Sequence, residues 1–242
     1  MKNFQVLTSD ALFTPEDYAE GVVIPIDKPY GWTSADVVRK VKFSLQRKLK
    51  LKNIKVGHAG TLDPLATGVL LLCIGKATRQ AETLQAEEKE YIAKIQLGAT
   101  TPSFDLEKEI DARFPYKHIT RQGIEDALNN FIGTQEQVAP LFSAKIINGK
   151  RAYELARAGK EAVLKPSIIS IYETELLCCD LPNISVRICC SKGTYIRSFA
   201  RDLGLILQSG GHLTGLQRSR SGNFNVMNSW ELDDLINFFA EK

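Results

Sequence analysis

The order of patterns along the chain predicts an α+β fold, a mixed and mainly antiparallel sheet flanked by helices. Three observations predict it. Strand-like runs sit beside hairpin signals, helical stripes fall between them without regular βαβ alternation, and no internal repeat or low-complexity linker breaks the chain. Residues 1–20 carry little hydrophobic pattern and read as an N-terminal extension. Residues 22–26 form an apolar run that ends in the turn Asp27-Lys28-Pro29-Tyr30-Gly31. Thr33 or Ser34 can N-cap a helix whose apolar stripe is Val37, Val38, Val41 and Leu45. Residues 54–68 are rich in turn formers and read as a loop, and 69–74 as a buried strand.

Further along, 91–97 alternates as a strand and 98–118 is a long connection. Thr120 opens a helix with Ile124, Leu128, Phe131 and Ile132 on one face, closed by Gly133. A strand near 135–147 and a helix near 150–158 are expected next. Residues 168–179 and 184–190 flank Asp180-Leu-Pro-Asn183 as a hairpin. Residues 195–207 read as a helix, 212–216 as a strand and 229–240 as an amphipathic helix. The domain reading is an extension over 1–20, one domain over 21–228 and a terminal helix over 229–242.

The chain has 242 residues, 44% hydrophobic and 24% charged, enough to bury a substantial core. No run approaches the roughly 18 apolar residues of a membrane span, and the N-terminus lacks a signal-peptide core. A soluble, cytoplasmic protein without membrane contact is expected. The five cysteines (Cys73, Cys178, Cys179, Cys189 and Cys190) show no metal-like spacing and read as reduced core residues. His58, His118 and His212 are scattered, so no metal site is expected. His118 and His212 read as structural.

The net charge is only +3, but the distribution is one-sided. From Val37 to Leu62 there are eight basic residues and no acidic one. Arg187, Lys192, Arg197, Arg201, Arg218 and Arg220 form a second basic set, opposed by Asp202. Uncompensated cations of this kind suit a polyanion-binding face, whereas solvated faces usually mix signs.

Between the basic stretch and the buried strand lies Gly57-His-Ala-Gly-Thr-Leu-Asp63-Pro-Leu-Ala-Thr-Gly68. Asp63 is the only carboxylate between Asp36 and Glu82. Pro64 biases it away from helical geometry, and Gly57, Gly60 and Gly68 let a backbone or ligand approach closely. A lone carboxylate in basic surroundings stays ionised, as a nucleophile requires. A D-P dipeptide taken alone is more often just a tight turn.

As a twelve-residue string, this segment resembles the motif that carries the catalytic aspartate in the TruB family of tRNA pseudouridine-55 synthases. Four further segments resemble that family in the same order. They are Gly21-Val-Val-Ile-Pro-Ile-Asp-Lys-Pro-Tyr-Gly-Trp-Thr-Ser34; Lys89-Glu-Tyr91; Pro140-Leu-Phe-Ser-Ala144 with Asn148-Gly-Lys-Arg-Ala-Tyr-Glu-Leu-Ala-Arg157; and Cys190-Ser-Lys-Gly-Thr-Tyr-Ile-Arg197. The resemblance runs from about residue 21 to 222. Where the family shows a T-D-T-x-D-like segment, this chain has Thr100-Thr-Pro-Ser-Phe-Asp105. Many bacterial relatives continue into a β-rich PUA domain. Here about twenty residues follow Gly222 and read as a helix, so no full accessory domain is expected.

The resemblance implies a pseudouridine-synthase-like sheet and a cofactor-free isomerase of uridine, at position 55 of the tRNA T loop, with Asp63 as nucleophile. It places Arg197 beside Asp63, where a fixed positive charge would keep the carboxylate ionised. Tyr91 becomes the active-site tyrosine, with a face to stack on uracil and a hydroxyl for proton transfer. The target base must be flipped out of its stack, a cost of about a few kcal/mol, and His58 is implied to fill the vacated space or to contact neighbouring nucleotides. Tyr195 and Lys28 are expected to support the site or to touch phosphate. The 37–55 stretch, Arg218 and Arg220 are expected to hold phosphates of the tRNA T-arm stem-loop. A monomer is expected. Capture of C1′, addition at C6 and a glycal route all remain open, each centred on Asp63. A non-catalytic tRNA-binding protein or folding helper would need the same basic face without Asp63, Tyr91 and Arg197. A synthase serving a guide-RNA particle is a third reading, disfavoured by the expected lack of long basic tails and of the accessory domain.

Overall fold

The computed structural model describes residues 5–7, 15–143, 146–147, 150–151 and 164–240. Its chain divides into two compact units, Met1–Glu90 with Gln217–Lys242, and Tyr91–Leu216; the division falls inside the strands Lys89–Leu97 and Gly211–Ser221.

The first unit is organised by the strands Val22–Lys28 and Ala66–Ile74, antiparallel from Val22↔Ile74 to Lys28↔Gly68. Both are buried along almost their whole length, which is why they read as continuous apolar runs rather than alternating ones. Gln5–Val6 and Trp230–Glu231 each add a short parallel pairing to Val22–Lys28. Val56–His58 pairs antiparallel with the Leu72–Ile74 end of the neighbouring strand. Helix Ser34–Leu49 covers this core with Val37, Val41 and Leu45. Each such aliphatic side chain taken from water contributes about 1.5–3 kcal/mol. Thr33 and Asp36 close a reciprocal capping box at its start, and Lys50 ends it in the left-handed region at φ 55°. Helix Leu232–Ala240 packs against it.

In the second unit the strand order is Gly211–Ser221, Lys89–Leu97, Asn183–Cys190, Ser167–Asp180, Gly133–Gln137. The hairpin Ser167–Asp180/Asn183–Cys190 is antiparallel from Asp180↔Asn183 to Ile171↔Cys190, and Gly133–Gln137 pairs antiparallel along Ser167–Ile171. Lys89–Leu97 alternates between buried and partly exposed positions, as its sequence pattern requires. Helix Arg121–Asn129 is capped by Thr120. Helix Ile196–Ile206 buries Phe199 against Phe131, ring centroids 4.5 Å apart. Gly204 is needed there, because a Cβ would come within 2.2 Å of the Gly210 carbonyl carbon. The α+β class and the mainly antiparallel pairing agree with the sequence expectation.

Several local expectations differ. Residues 54–68 are not loop throughout, since Val56–His58 and the start of Ala66–Ile74 lie within them. The lead-in segment contributes Leu7 and Tyr18 to the core, both almost completely buried. The long connection holds the strand pair Ala99–Thr100/Ala112–Arg113. The strand near 135–147 is split, because Ile146–Ile147 pairs instead with Lys150–Arg151. The expected helix near 150–158 therefore does not include 150–151, and its remainder, with most of the Asn148–Arg157 motif, lies outside the described residues. Cysteines are not uniformly core. Cys73, Cys189 and Cys190 are buried, Cys179 is half-buried and Cys178 is exposed. No helix among the described residues is long and apolar enough to cross a membrane.

Candidate active site

Asp63 sits half-buried at the turn between Val56–His58 and Ala66–Ile74, with its carbonyl accepting from the Ala66 N–H. The segment around it is fixed by donors from elements far away in sequence. Ser34 Oγ, at the start of the capped helix, donates to the Leu62 carbonyl at 3.1 Å and accepts from the Leu62 N–H at 2.9 Å. The Gly31 N–H donates to Pro64 O at 2.9 Å. Both residues flanking Asp63 are therefore held through their backbones.

Two buried cations complete the setting. Lys28, at the end of Val22–Lys28, is fully buried. Its ammonium donates to the carbonyls of Pro29 (2.9 Å), Trp32 (2.7 Å) and Pro64 (3.3 Å). Burial pushes it down from 10.5 to about 8, while the carboxylates of Asp63 and Asp27 oppose the change and the Arg218 charge adds to it. Arg218 is 2% exposed. Its Nε donates to Val69 O at 2.7 Å, Nη2 to Gly60 O at 3.2 Å and Nη1 to Thr61 O at 3.4 Å. One guanidinium thus bridges both ends of the Asp63 segment. Gly68 makes that approach possible. Its φ is +100°, and a Cβ there would lie 2.2 Å from the Arg218 carbonyl oxygen. Asp27 Oδ1 accepts from the Gly68 N–H at 2.8 Å; burial raises the Asp27 carboxyl, offset by that hydrogen bond and by Lys28.

His58 lies on the short strand beside this loop. Burial, then repulsion from Arg218, lowers its basicity, with the Gly60 backbone opposing, so its imidazole favours the neutral form suited to stacking or hydrogen bonding. Gly57 has open space where a side chain would project. The structure therefore brings Asp63, Lys28, His58 and Arg218 into one electrostatic neighbourhood.

Arg218 requires a correction. Expected to hold phosphate, it has its guanidinium spent on three backbone carbonyls inside the fold. Arg220 is half-buried, paired with Glu88 and donating to Gly222 O at 3.1 Å. Neither presents an open cation, nor does Lys28, whose ammonium is held by carbonyls inside the fold and supports the site rather than touching phosphate. Lys89, the first residue of Lys89-Glu-Tyr91, is likewise internal, donating to Leu84, Gln85 and Glu87 carbonyls at 2.6–3.1 Å.

The other expected residues lie in the second unit. Tyr91 is buried on Lys89–Leu97. Arg197 is buried at the start of helix Ile196–Ile206, its Nε 3.7 Å from Asp105 Oδ2. Tyr195 precedes that helix. Its N–H donates to Gln137 Oε1 at 2.8 Å and its carbonyl accepts from Gln137 Nε2 at 3.1 Å, a two-way tie to Gly133–Gln137. Asp27, Ser34, Asp105 and Gln137 were not expected as residues of the site or its support. Asp105 had a signal, as the last residue of the T-D-T-x-D-like segment, and Ser34 closes the first motif. Asp27 and Gln137 act on backbone groups and carry none. Among the described residues no group of side chains could hold a metal ion.

Comparison with known proteins points one way. The family described as TruB family pseudouridylate synthase (N terminal domain) matches residues 46–196. The chain is 55% identical over 223 residues to the tRNA pseudouridine synthase B of Parabacteroides distasonis, covering 91% of this chain and 95% of the relative. It is 59% identical over 210 residues to that of Phocaeicola vulgatus, covering 87% and 89%. Among solved structures it resembles a chain of a Cbf5–Nop10–Gar1 complex, with TM-score 0.70 and 30% identity, over 98% of this chain but only 61% of that longer one.

Proposed function

Because the chain belongs to the TruB family of pseudouridylate synthases, we propose that it isomerises uridine to pseudouridine in tRNA, with Asp63 acting on a flipped-out nucleoside. The reaction breaks the N1–C1′ bond, turns the freed uracil and joins C5 to C1′. The C5 proton then leaves and N1 takes one up, so atoms and electrons balance without a redox partner. A carboxylate suits this as nucleophile or as stabiliser of charge at the sugar. The observation that carries the reading is the anchored Asp63 turn, with two buried cations, Lys28 and Arg218, on backbone carbonyls around it. A preorganised field of this kind costs no reorganisation during reaction.

Other assignments rest on the motifs. Tyr91 stacks on the extruded uracil and serves proton transfer at C5, Arg197 supports the ionised aspartate, and His58 and Tyr195 contact the RNA or back the site. Uridine 55 of the T-arm loop is the target. The enzyme works as a cytoplasmic monomer without metal or cofactor. The test is Asp63→Asn, assayed by carbodiimide mapping of pseudouridine on an unmodified tRNA transcript. Isomerisation should disappear while tRNA binding remains; turnover by this variant would exclude the mechanism.

A further inference from the structure

Two adjoining depressions follow the outer face of helix Ser34–Leu49 and share Lys40 and Phe43. The first, about 530 Å3, starts at Gly31 and Trp32. The second, about 660 Å3, lies where this helix meets Leu232–Ala240, and adds Arg47 and Lys50 over a floor that includes Ile236 and Phe239. Trp32 is 37% and Phe43 59% exposed. The Arg47 guanidinium lies over the Phe43 ring, 5.8 Å from its centroid. Among the described residues lining the second depression none is acidic. Asp36, in the first, is engaged by Arg39 and by the Thr33 cap.

The path starts at the candidate active site and leads away from it. Gly31 is bonded to Pro64, Lys28 to Trp32, and Ser34 to Leu62. From Ser34 to Arg47 the helix rises about 20 Å. Arg47 in the last helical turn has an ordinary role in balancing the helix dipole. That role does not extend to Lys40 or to a large exposed aromatic ring in mid-helix. Cations interleaved with open aromatic faces match a strand of nucleic acid, whose phosphates take the charges and whose bases stack on the rings.

We propose that this face is an RNA track reaching beyond the modified loop, with phosphates at Lys40, Arg47 and Lys50 and a base or ribose against Phe43. The proposal rests on the reading of the chain as a tRNA-modifying enzyme. It is tested by measuring affinity for an intact tRNA transcript and for a minimal stem-loop carrying the target uridine, across a salt series. Lys40→Ala/Arg47→Ala should lower the salt slope for intact tRNA by about 1.5. Phe43→Ala should weaken intact tRNA binding about tenfold. Both variants should lose most of the preference for intact tRNA over the minimal stem-loop. Unchanged preference and slope in variants that unfold like the wild type would overturn the track, as would equal losses on both RNAs. Wild-type protein that binds tRNA without forming pseudouridine would instead overturn the isomerase reading, and the binding comparison would still decide the track.

Discussion

Lys28 gives the most discriminating prediction, because its burial makes stability and activity respond to pH in opposite directions. Burial holds its ammonium at about 8 in the fold, against 10.5 when solvated. Between those values the unfolded chain binds more protons than the folded one, so stability rises with pH across that window. The lowered value is worth roughly 3 kcal/mol at about 1.4 kcal/mol per pH unit. That gain is absent below about pH 8 and complete by about 10.5. Deprotonation also removes a positive charge beside Asp63, so kcat/KM should fall about tenfold per pH unit above roughly pH 8. Urea unfolding of the wild type and of Lys28→Met, in steps from pH 7 to about 10.5, isolates the stability effect, since the variant has nothing to titrate there. The wild-type curve should gain on the variant's by up to about 3 kcal/mol, while brief assays of pseudouridine formation decline. A pH-independent difference between the two curves, together with activity level to about pH 10, would refute the reasoning.

Two further substitutions test the frame around Asp63. Gly68→Ala forces a Cβ against the Arg218 backbone at a position with φ +100°, so a loss of about 3 kcal/mol or more is expected in urea unfolding, with activity lost in proportion to the displaced loop. Arg218→Met removes the donors to three carbonyls around the Asp63 segment; unfolding should show a cost of about 3 kcal/mol or more, at roughly 1–3 kcal/mol for each buried acceptor left unsatisfied. At pH 7, under conditions where the variant is folded, kcat should fall more than tRNA affinity, because the guanidinium is buried away from phosphate.

The elements most legible in the sequence were those whose signals are local. Thr33 or Ser34 announces the start of the first long helix, the apolar runs announce the doubly buried strands, and Asp180-Leu-Pro-Asn183 announces the hairpin. Val56–His58 was hidden by its glycine and histidine, because it is a strand only by virtue of pairing with Leu72–Ile74. Asp63 stood out as a lone carboxylate in a distinctive string. Of its supporting cast, Lys28 was expected near the site through the family resemblance, but its burial was not. Lys28, Lys89 and Arg218 look like surface cations because charged residues are mostly exposed, yet each is internal and bonded to backbone carbonyls. Every residue supplies a carbonyl, so no side-chain pattern marks which cation will be drawn inward.

The first unit is discontinuous in sequence, and this fixes an order on its assembly during synthesis. Residues 91–216 form a continuous stretch that can fold once it clears the ribosome, since domains form as units in order of emergence. The Asp63 segment leaves the exit tunnel far earlier, yet Arg218 and the Trp230–Glu231 strand that close around its neighbours are translated only after the whole of that stretch. A nascent chain therefore carries the Asp63 segment without its Arg218 brace until residues 91–216 have all been made.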